Sequence, residues 1–293
     1  RDALLAASVA PSERGFAFGF NRAADHFGAI LGPVAAFFLM SYFAADPANP
    51  TADEFQSVFW LASLPVVFGL FIVIFFVREE SAPVAANGSA IKLSLRGFDG
   101  NFKRFLVIIA IFTLSNSTDA FLLLRAEQAG ISPAVLPLVW MALHFSKVGF
   151  SLIGGDLSDR IGRKKLIFTG WMVYALVYLG FAFASAPWHA WTLFIIYGVY
   201  FGFTEGVEKA MVADMVGEEK RGTAFGLYNL AFGIAVFPAS LLFGLIWNQL
   251  GAPAAFIFSS VISVAAALSL TTVKTGQSCR DRNDRAENER GRG

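Results

Sequence analysis

Gly155-Asp156-Leu157-Ser158-Asp159-Arg160-Ile161-Gly162-Arg163-Lys164-Lys165 is a short, charged stretch lying between two long apolar runs, Ala134–Ile153 and Leu166–Ala184. Each run is close to the roughly 20 residues that an α-helix needs to cross the hydrocarbon of a bilayer. The stretch therefore reads as a turn at a membrane surface. Gly155 lets two helices approach closely, and Gly162 permits a tight reversal. Asp159 is suited to face the positive end of a helix N-terminus, and the helix starting at Gly222 is the expected one. Arg163 can pair with an acid such as Asp214, at the end of the run Trp191–Val212. A merely basic turn is the simpler alternative, but it requires neither the glycines nor Asp159.

Working outward, six more runs of this kind appear: Phe16–Tyr42, Phe55–Val77, Phe102–Leu124, Trp191–Val212, Gly222–Ile246 and Pro253–Val273, with Asp2–Val9 resembling the tail of another. Backbone groups in lipid must be bonded internally, so the runs are helices or strands of a closed barrel. Barrel strands are short and alternating, whereas these runs are long and continuous. The expected class is therefore an all-α integral membrane protein. Composition agrees: 56% of the 293 residues are hydrophobic and 15% charged, against about 25% charged in a typical soluble domain.

Lys and Arg set the orientation. The loops 1–14, 78–104, 155–165, 213–221 and 274–293 hold 19 of the 23 basic residues. The opposite set holds only Arg125, and Arg22, Lys147 and Lys209 lie inside helices. Both ends of the chain are thus expected in the cytoplasm, on a multi-pass protein of the cell (inner) membrane. Residues 79–101, with Ser81-Ala82-Pro83 and Asn87-Gly88-Ser89, read as a flexible cytoplasmic linker. That divides the chain into residues 1–78, the linker, a bundle at 102–273, and a charged, disordered tail at 274–293. The chain opens on Arg1-Asp2-Ala3, with neither Met nor a signal pattern, which reads as a truncated or processed end.

An internal repeat supports two bundles. Arg14-Gly15-Phe16-Ala17-Phe18-Gly19 matches Arg221-Gly222-Thr223-Ala224-Phe225-Gly226, 207 residues later, and both follow an acidic turn. Parallel half-repeats are one plan for transporters. The stretch 155–165 resembles the signature loop of the major facilitator superfamily, Gly-x-Leu-Ala-Asp-Arg-x-Gly-Arg-Lys/Arg, which joins the second and third helices of each six-helix half. The Arg-Gly repeats are similar to the turns before helices five and eleven. The resemblance implies two pseudo-symmetric helical bundles, covered here from the end of helix four to helix twelve, with the N-terminal bundle incomplete. It makes Gly155, Asp159, Arg160, Gly162, Arg163 and Asp214 a gating set whose contacts form in one conformation and break in the other. Gly28-Ala29-Ile30-Leu31-Gly32-Pro33 is similar to the helix-five motif of proton-coupled exporters, although Ala36-Phe37 stands where that motif has two glycines. Gly28 and Gly32 suit close helix packing and Pro33 a bend.

Ionisable groups within a span are costly and mark function by default. Arg22, Asp25 and His26 share one face of their helix, and Arg22 and Asp25 can neutralise each other. Trp140, His144, Lys147 and Ser151 form a polar stripe on the second helix of the later bundle. The resemblance places that helix against helix five, which makes Asp25 and Lys147 an expected cross-domain pair. Glu205 and Lys209 are spaced to pair within one helix, leaving Glu208 as the freer acid and the better proton carrier. Tyr197 and Phe201 lie on the same side as Glu205. Asp119 falls in the polar patch Asn116-Ser117-Thr118-Asp119 near the outer end of helix seven, and a cavity role competes with a capped helix end there. Asp25, Asp119, Lys147, Glu205 and Glu208 are the expected proton and substrate pathway. His189 reads as an interfacial loop residue.

No nucleophile motif, P-loop, metal spacing or cofactor motif is present, and the single Cys279 excludes an internal disulfide. A net charge of +1 gives no field for nucleic acid. The resemblance thus implies a transporter and not an enzyme: a secondary transporter of a small solute, proton-coupled, acting as a monomer in the bilayer by alternating access. The partial helix-five match points toward export. The alternative is a non-transporting membrane sensor or assembly factor on the same fold.

Overall fold

The computed structural model describes residues 2–43, 51–76, 94–132 and 135–274. It is built of helices: α1 (Asp2–Ala7), α2 (Arg14–Phe43), α3 (Ala52–Phe76), α4 (Gly100–Ser115), α5 (Ala120–Gln128), α6 (Leu136–Ile161), α7 (Arg163–Ala182), α8 (Pro187–Met215), α9 (Arg221–Leu250) and α10 (Ala252–Leu270), with no strand among the described residues. Among the described residues, seven segments are long and apolar enough to span a membrane: 52–76, 100–128, 136–161, 163–182, 187–215, 218–250 and 252–270. Eight spans were expected. The eighth run, Phe16–Tyr42, corresponds to α2, 30 residues long, with Arg14, Arg22, Asp25 and His26 in its first half and no Asp, Glu, Lys or Arg from 27 to 43.

Helix boundaries follow the local chemistry. Pro137, Pro187 and Pro253 stand in the first turns of α6, α8 and α10, where the missing N–H costs nothing. The Asp99 side chain accepts from Asn101 N–H at the start of α4. Both copies of the Arg-Gly repeat open a 30-residue helix after a three-residue 3-10 turn, Pro11–Glu13 before α2 and Glu218–Lys220 before α9.

The run read as a single span over 102–124 is two helices. It breaks at Asn116–Asp119, with Asn116 extended at φ −92° and ψ 94°. The backbone groups released there are taken by neighbours: Tyr174 Oη donates to Ser115 O at 2.6 Å, and Thr118 N–H donates to Ser240 Oγ at 3.2 Å. Non-helical backbone within a membrane is tolerated where protein meets its polar groups in this way. The polar patch Asn116-Ser117-Thr118-Asp119, expected near the outer end of one helix, is the break between two.

Contacts divide the described residues into two units, Arg1–His26 with Leu93–Gly293, and Phe27–Lys92. The first holds an aromatic core in which Phe112 stacks on Trp171 at 4.3 Å and Tyr174 on Tyr178 at 4.1 Å. Small residues bring its helices together. Ser260 and Ser263 of α10 donate to the carbonyls of Ala175 and Trp171 on α7. A Cβ added to Gly154 of α6 would lie 2.8 Å from the carbonyl carbon of Gly202 on α8. Close backbone approach of this kind is the usual basis of helix association in lipid. In the second unit α3 exposes Phe59, Trp60, Phe68, Phe75 and Phe76, a surface that suits hydrocarbon and not water. Of the linker, residues 79–93 lie outside the described residues, as do 275–293 of the tail. The end of the linker forms a turn at Gly97 (φ 83°), whose carbonyl accepts from Lys220 Nζ at 2.7 Å.

Candidate functional site

At the basic end of the first unit, α6 stops at Gly162, whose φ of 97° lets α7 begin at once. That reversal places Asp159, Arg163 and the end of α8 side by side. Asp159 accepts from the backbone N–H groups of Gly15 at 3.0 Å and Phe16 at 2.8 Å. These are helix-start donors, which have no partner within their own helix. The terminus that Asp159 faces is therefore that of α2, and not the expected one at Gly222. The glycines explain the choice: a Cβ on Gly155 would lie 2.6 Å from the Gly15 carbonyl oxygen, so the start of α2 rests directly on α6.

Arg163 ties the cluster together. It donates to Asp159 at 2.7 Å, to Pro11 O at 2.8 Å and to Asp214 through Nε. Asp214 also accepts from Arg14 Nη1 at 2.7 Å, and Arg14 Nε donates to Ala6 O. Two acids and two arginines thus join the start of α2 to the ends of α6 and α8. A cavity of ≈1120 Å³ opens beside them, lined in part by Arg14, Asp159, Arg163, Asp214 and Arg221. Arg160 is not in the cluster: it is exposed and pairs with Asp156 at 2.9 Å. Arg14 was not among the expected site residues, although the repeat had marked it.

Deeper in the unit the charges are arranged differently from the expected pairs. Glu205 is not held by Lys209 but by His26, whose Nε2 lies 2.9 Å from Glu205 Oε2. Lys209 reaches Asp2 on α1 at 2.6 Å. The one-helix spacing of Glu205 and Lys209 loses because α8 presents them to different neighbours, α2 and α1. Glu208 is not a loose acid. It is buried and accepts from Trp171 Nε1 at 3.0 Å and Tyr228 Oη at 2.7 Å, neutral donors on α7 and α9. Asp25 and Lys147 form no ion pair here: Asp25 lies 3.3 Å from Arg22, and Lys147 packs on the ring of Phe201, 3.3 Å from its centroid. Asp119 precedes α5 without capping it and accepts from Tyr197 Oη at 3.2 Å. His189 Nδ1 accepts from Ser185 and Ala186 N–H at the start of α8. In the second unit, nothing among the described residues lies within 4 Å of a Cβ placed on Gly28 or Gly32. The Pro33 side chain lies outside the described residues.

An all-helical membrane bundle with a Gly-Asp-Arg turn latched onto a repeated Arg-Gly helix start is the fold of a membrane transporter family. The sequence profile of the Major Facilitator Superfamily matches residues 1–208 and again residues 105–290, and the chain belongs to that superfamily. It is 32% identical over 279 residues to an uncharacterised MFS-type transporter of Methanocaldococcus jannaschii, covering 92% of this chain and 66% of that protein. It is 23% identical over 248 residues to the multidrug resistance protein MdtG of Citrobacter koseri, covering 79% of this chain and 56% of that one. The chain thus spans about two thirds or less of these relatives. The human organic anion transporter MFSD10 has a similar fold, with a TM-score of 0.71 at 16% identity, over 92% of this chain and 66% of that one.

Proposed function

We propose that the chain is the greater part of a secondary transporter that moves a small solute across the cell membrane by alternating access, with protons as the coupling ion. The observation that carries this reading is the cluster of Asp159, Arg163, Asp214 and Arg14. It fastens the start of α2 to α6 and α8 through side chains that have no such acceptors or donors once those helices separate. The distribution of Lys and Arg puts this latch on the cytoplasmic face, with both ends of the chain on the same side. Latched, the protein is closed to the cytoplasm; unlatched, it opens there. Mutually exclusive states of this kind let a solute cross without a continuous pore.

Protons enter through the His26–Glu205 pair. It links α2 to α8, so the movement that breaks the latch also parts the imidazole from the carboxylate. A separated carboxylate in a membrane interior is stabilised by taking a proton, and the pair thereby couples protonation to the conformational change. Glu208 is the weaker candidate, since its partners Trp171 and Tyr228 belong to the same bundle. The multidrug-resistance relatives support export. The test is flux in proteoliposomes under an imposed pH gradient, across a panel of solutes. Gradient-dependent movement of any solute is expected. Specific binding without flux for every solute would identify a sensor and refute the reading.

A further inference from the structure

Neither the latch nor the His26–Glu205 pair uses the polar stripe of α6. Trp140, His144, Lys147 and Ser151 are spaced by four, three and four residues, so they share one face of that helix. Lys147 is 4% exposed, His144 7% and Ser151 1%. Among the described residues Lys147 makes no hydrogen bond or ion pair; its ammonium rests on Phe201 and lies 5.8 Å from the Trp140 ring centroid. His144 Nδ1 and Ser151 Oγ are both buried without a partner. Asp119 and Glu205 act on Lys147 through their charge without bonding it; their hydrogen bonds go to Tyr197 and His26, and Asp25 pairs with Arg22.

Two buried polar atoms without a partner, flanking an ammonium that makes no hydrogen bond, are costly on one helix face unless something outside the chain meets them. Their chemistry defines the complement. An ammonium only donates, a hydroxyl donates freely, and an imidazole nitrogen donates in one tautomer or when charged. The missing group is therefore an acceptor-rich anion. The walls define the rest. Trp140 lies 5.1 Å and His26 5.4 Å from the His144 ring, and Phe201 lies 6.4 Å from His26, so rings surround the ammonium.

We propose that this stripe is a subsite for an amphipathic organic anion, its carboxylate or sulfonate against Lys147 and its apolar body among Trp140, His26 and Phe201. His144 and Ser151 stand about 4.5 and 6 Å along the helix from Lys147 at 1.5 Å per residue, and offer the anion its next donors in either direction. That this anion is the cargo rests on the transporter reading; that the stripe binds it does not.

The test is isothermal titration of the purified protein in phosphatidylcholine nanodiscs with benzoate, 1-naphthoate and naphthalene-2-sulfonate, and with tetraphenylphosphonium as the cationic probe. At least one of the anions is expected to bind. Lys147→Met should weaken it by about tenfold or more, the scale of a lost hydrogen bond to a charged group. Lys147→Arg, which keeps the charge, should retain most of the affinity, and His144→Phe should weaken it less than Lys147→Met. Gel filtration and the unfolding midpoint check folding, and Lys147→Gln replaces Lys147→Met if the latter does not fold. Three results overturn the proposal: no heat with any anion, undiminished anion affinity in Lys147→Met, or tetraphenylphosphonium bound as tightly as the anions by the unmodified protein. Full displacement of the anion by phosphatidylglycerol in the disc would also overturn it, by assigning the subsite to a lipid headgroup. Anion binding without flux refutes the transporter reading and leaves the subsite; flux without anion binding does the reverse.

Discussion

Replacing Asp159 by Asn should loosen the start of α2 by an amount that the geometry allows one to work out. The carboxylate accepts from Gly15 and Phe16 N–H and from Arg163, and the Asp159 and Arg163 side chains are both about nine-tenths buried. Asn keeps one acceptor oxygen and turns the other into a donor. One helix-start amide then loses its partner, at about 1–2 kcal/mol. The charge at the helix terminus is lost, at roughly 0.3–1 kcal/mol or more in a buried setting. Arg163 keeps Asp214 and Pro11 O, so its loss is partial. The total is about 2–4 kcal/mol, or roughly 30- to 700-fold in the latch equilibrium at tenfold per 1.4 kcal/mol. Hydrogen exchange reads this directly, because the Gly15 and Phe16 amides owe their protection to Asp159 and not to their own helix. A peptide covering residues 10–20, from protein in nanodiscs, should exchange faster in Asp159→Asn by that range. A change under threefold would refute the latch as a source of stability.

Other outcomes follow from the same contacts. Gly155→Ala places a methyl 2.6 Å from the Gly15 carbonyl oxygen; overpacking of this kind costs about 1–3 kcal/mol and should speed exchange in the same peptide, while an unchanged rate would show that the two helices do not rest on each other. Glu205→Gln should abolish proton-driven flux yet spare solute exchange, whereas Glu208→Gln should lower the unfolding midpoint and keep coupling, since its partners Trp171 and Tyr228 are internal to one bundle; flux under a pH gradient beside a melting curve separates the two, and the reverse pattern would make Glu208 the coupling acid. Asp25→Asn and Lys147→Met should act additively to within about 0.5 kcal/mol, as residues with different neighbours, and a double-mutant cycle on flux that recovers activity would restore them as partners. A reporter active only outside the cytoplasm, fused after Gly293, should be silent.

Much of the fold was legible because membrane helices are set by length and polarity, which a sequence displays without tertiary information. The turn at Gly162 and the helix starts at Arg14 and Arg221 could be placed from residue type alone. The break at Asn116–Asp119 could not, because its stability depends on Tyr174 and Ser240, far away in the chain. The interior charges were harder still. Spacing within a helix offers Glu205 a partner in Lys209, but the rotation of α8 turns one toward His26 and the other toward Asp2. Only the packing of α1 and α2 decides that, and no local pattern encodes it. Residue type marks Asp159 as an acid suited to a helix terminus but does not say which copy of the repeat supplies it; the structure supplies Gly15 and Phe16.

The two helix starts differ in their surroundings for a reason that lies in the repeat itself. Residues 207 apart are equivalent, so a residue that touches its own equivalent lies beside the local two-fold axis. Asp2 bonds Lys209, and the rings of Phe18 and Phe225 lie 6.0 Å apart, which puts the axis between the α1–α2 and α8–α9 segments. Around that axis the two arginines are not treated alike. Arg14 has Asp214; the position equivalent to Asp214 is Ala7, so Arg221 has no such acid. It bonds Glu218 instead, a largely exposed residue three positions earlier, and its Nε is buried without a partner. An exposed pair of this kind contributes about 0–1 kcal/mol, well below the shared Arg14–Asp214–Arg163 cluster. The helix starts at Gly15 and Gly222 are near copies in sequence, and the acid at one and alanine at the other make the hold on α2 the stronger of the two.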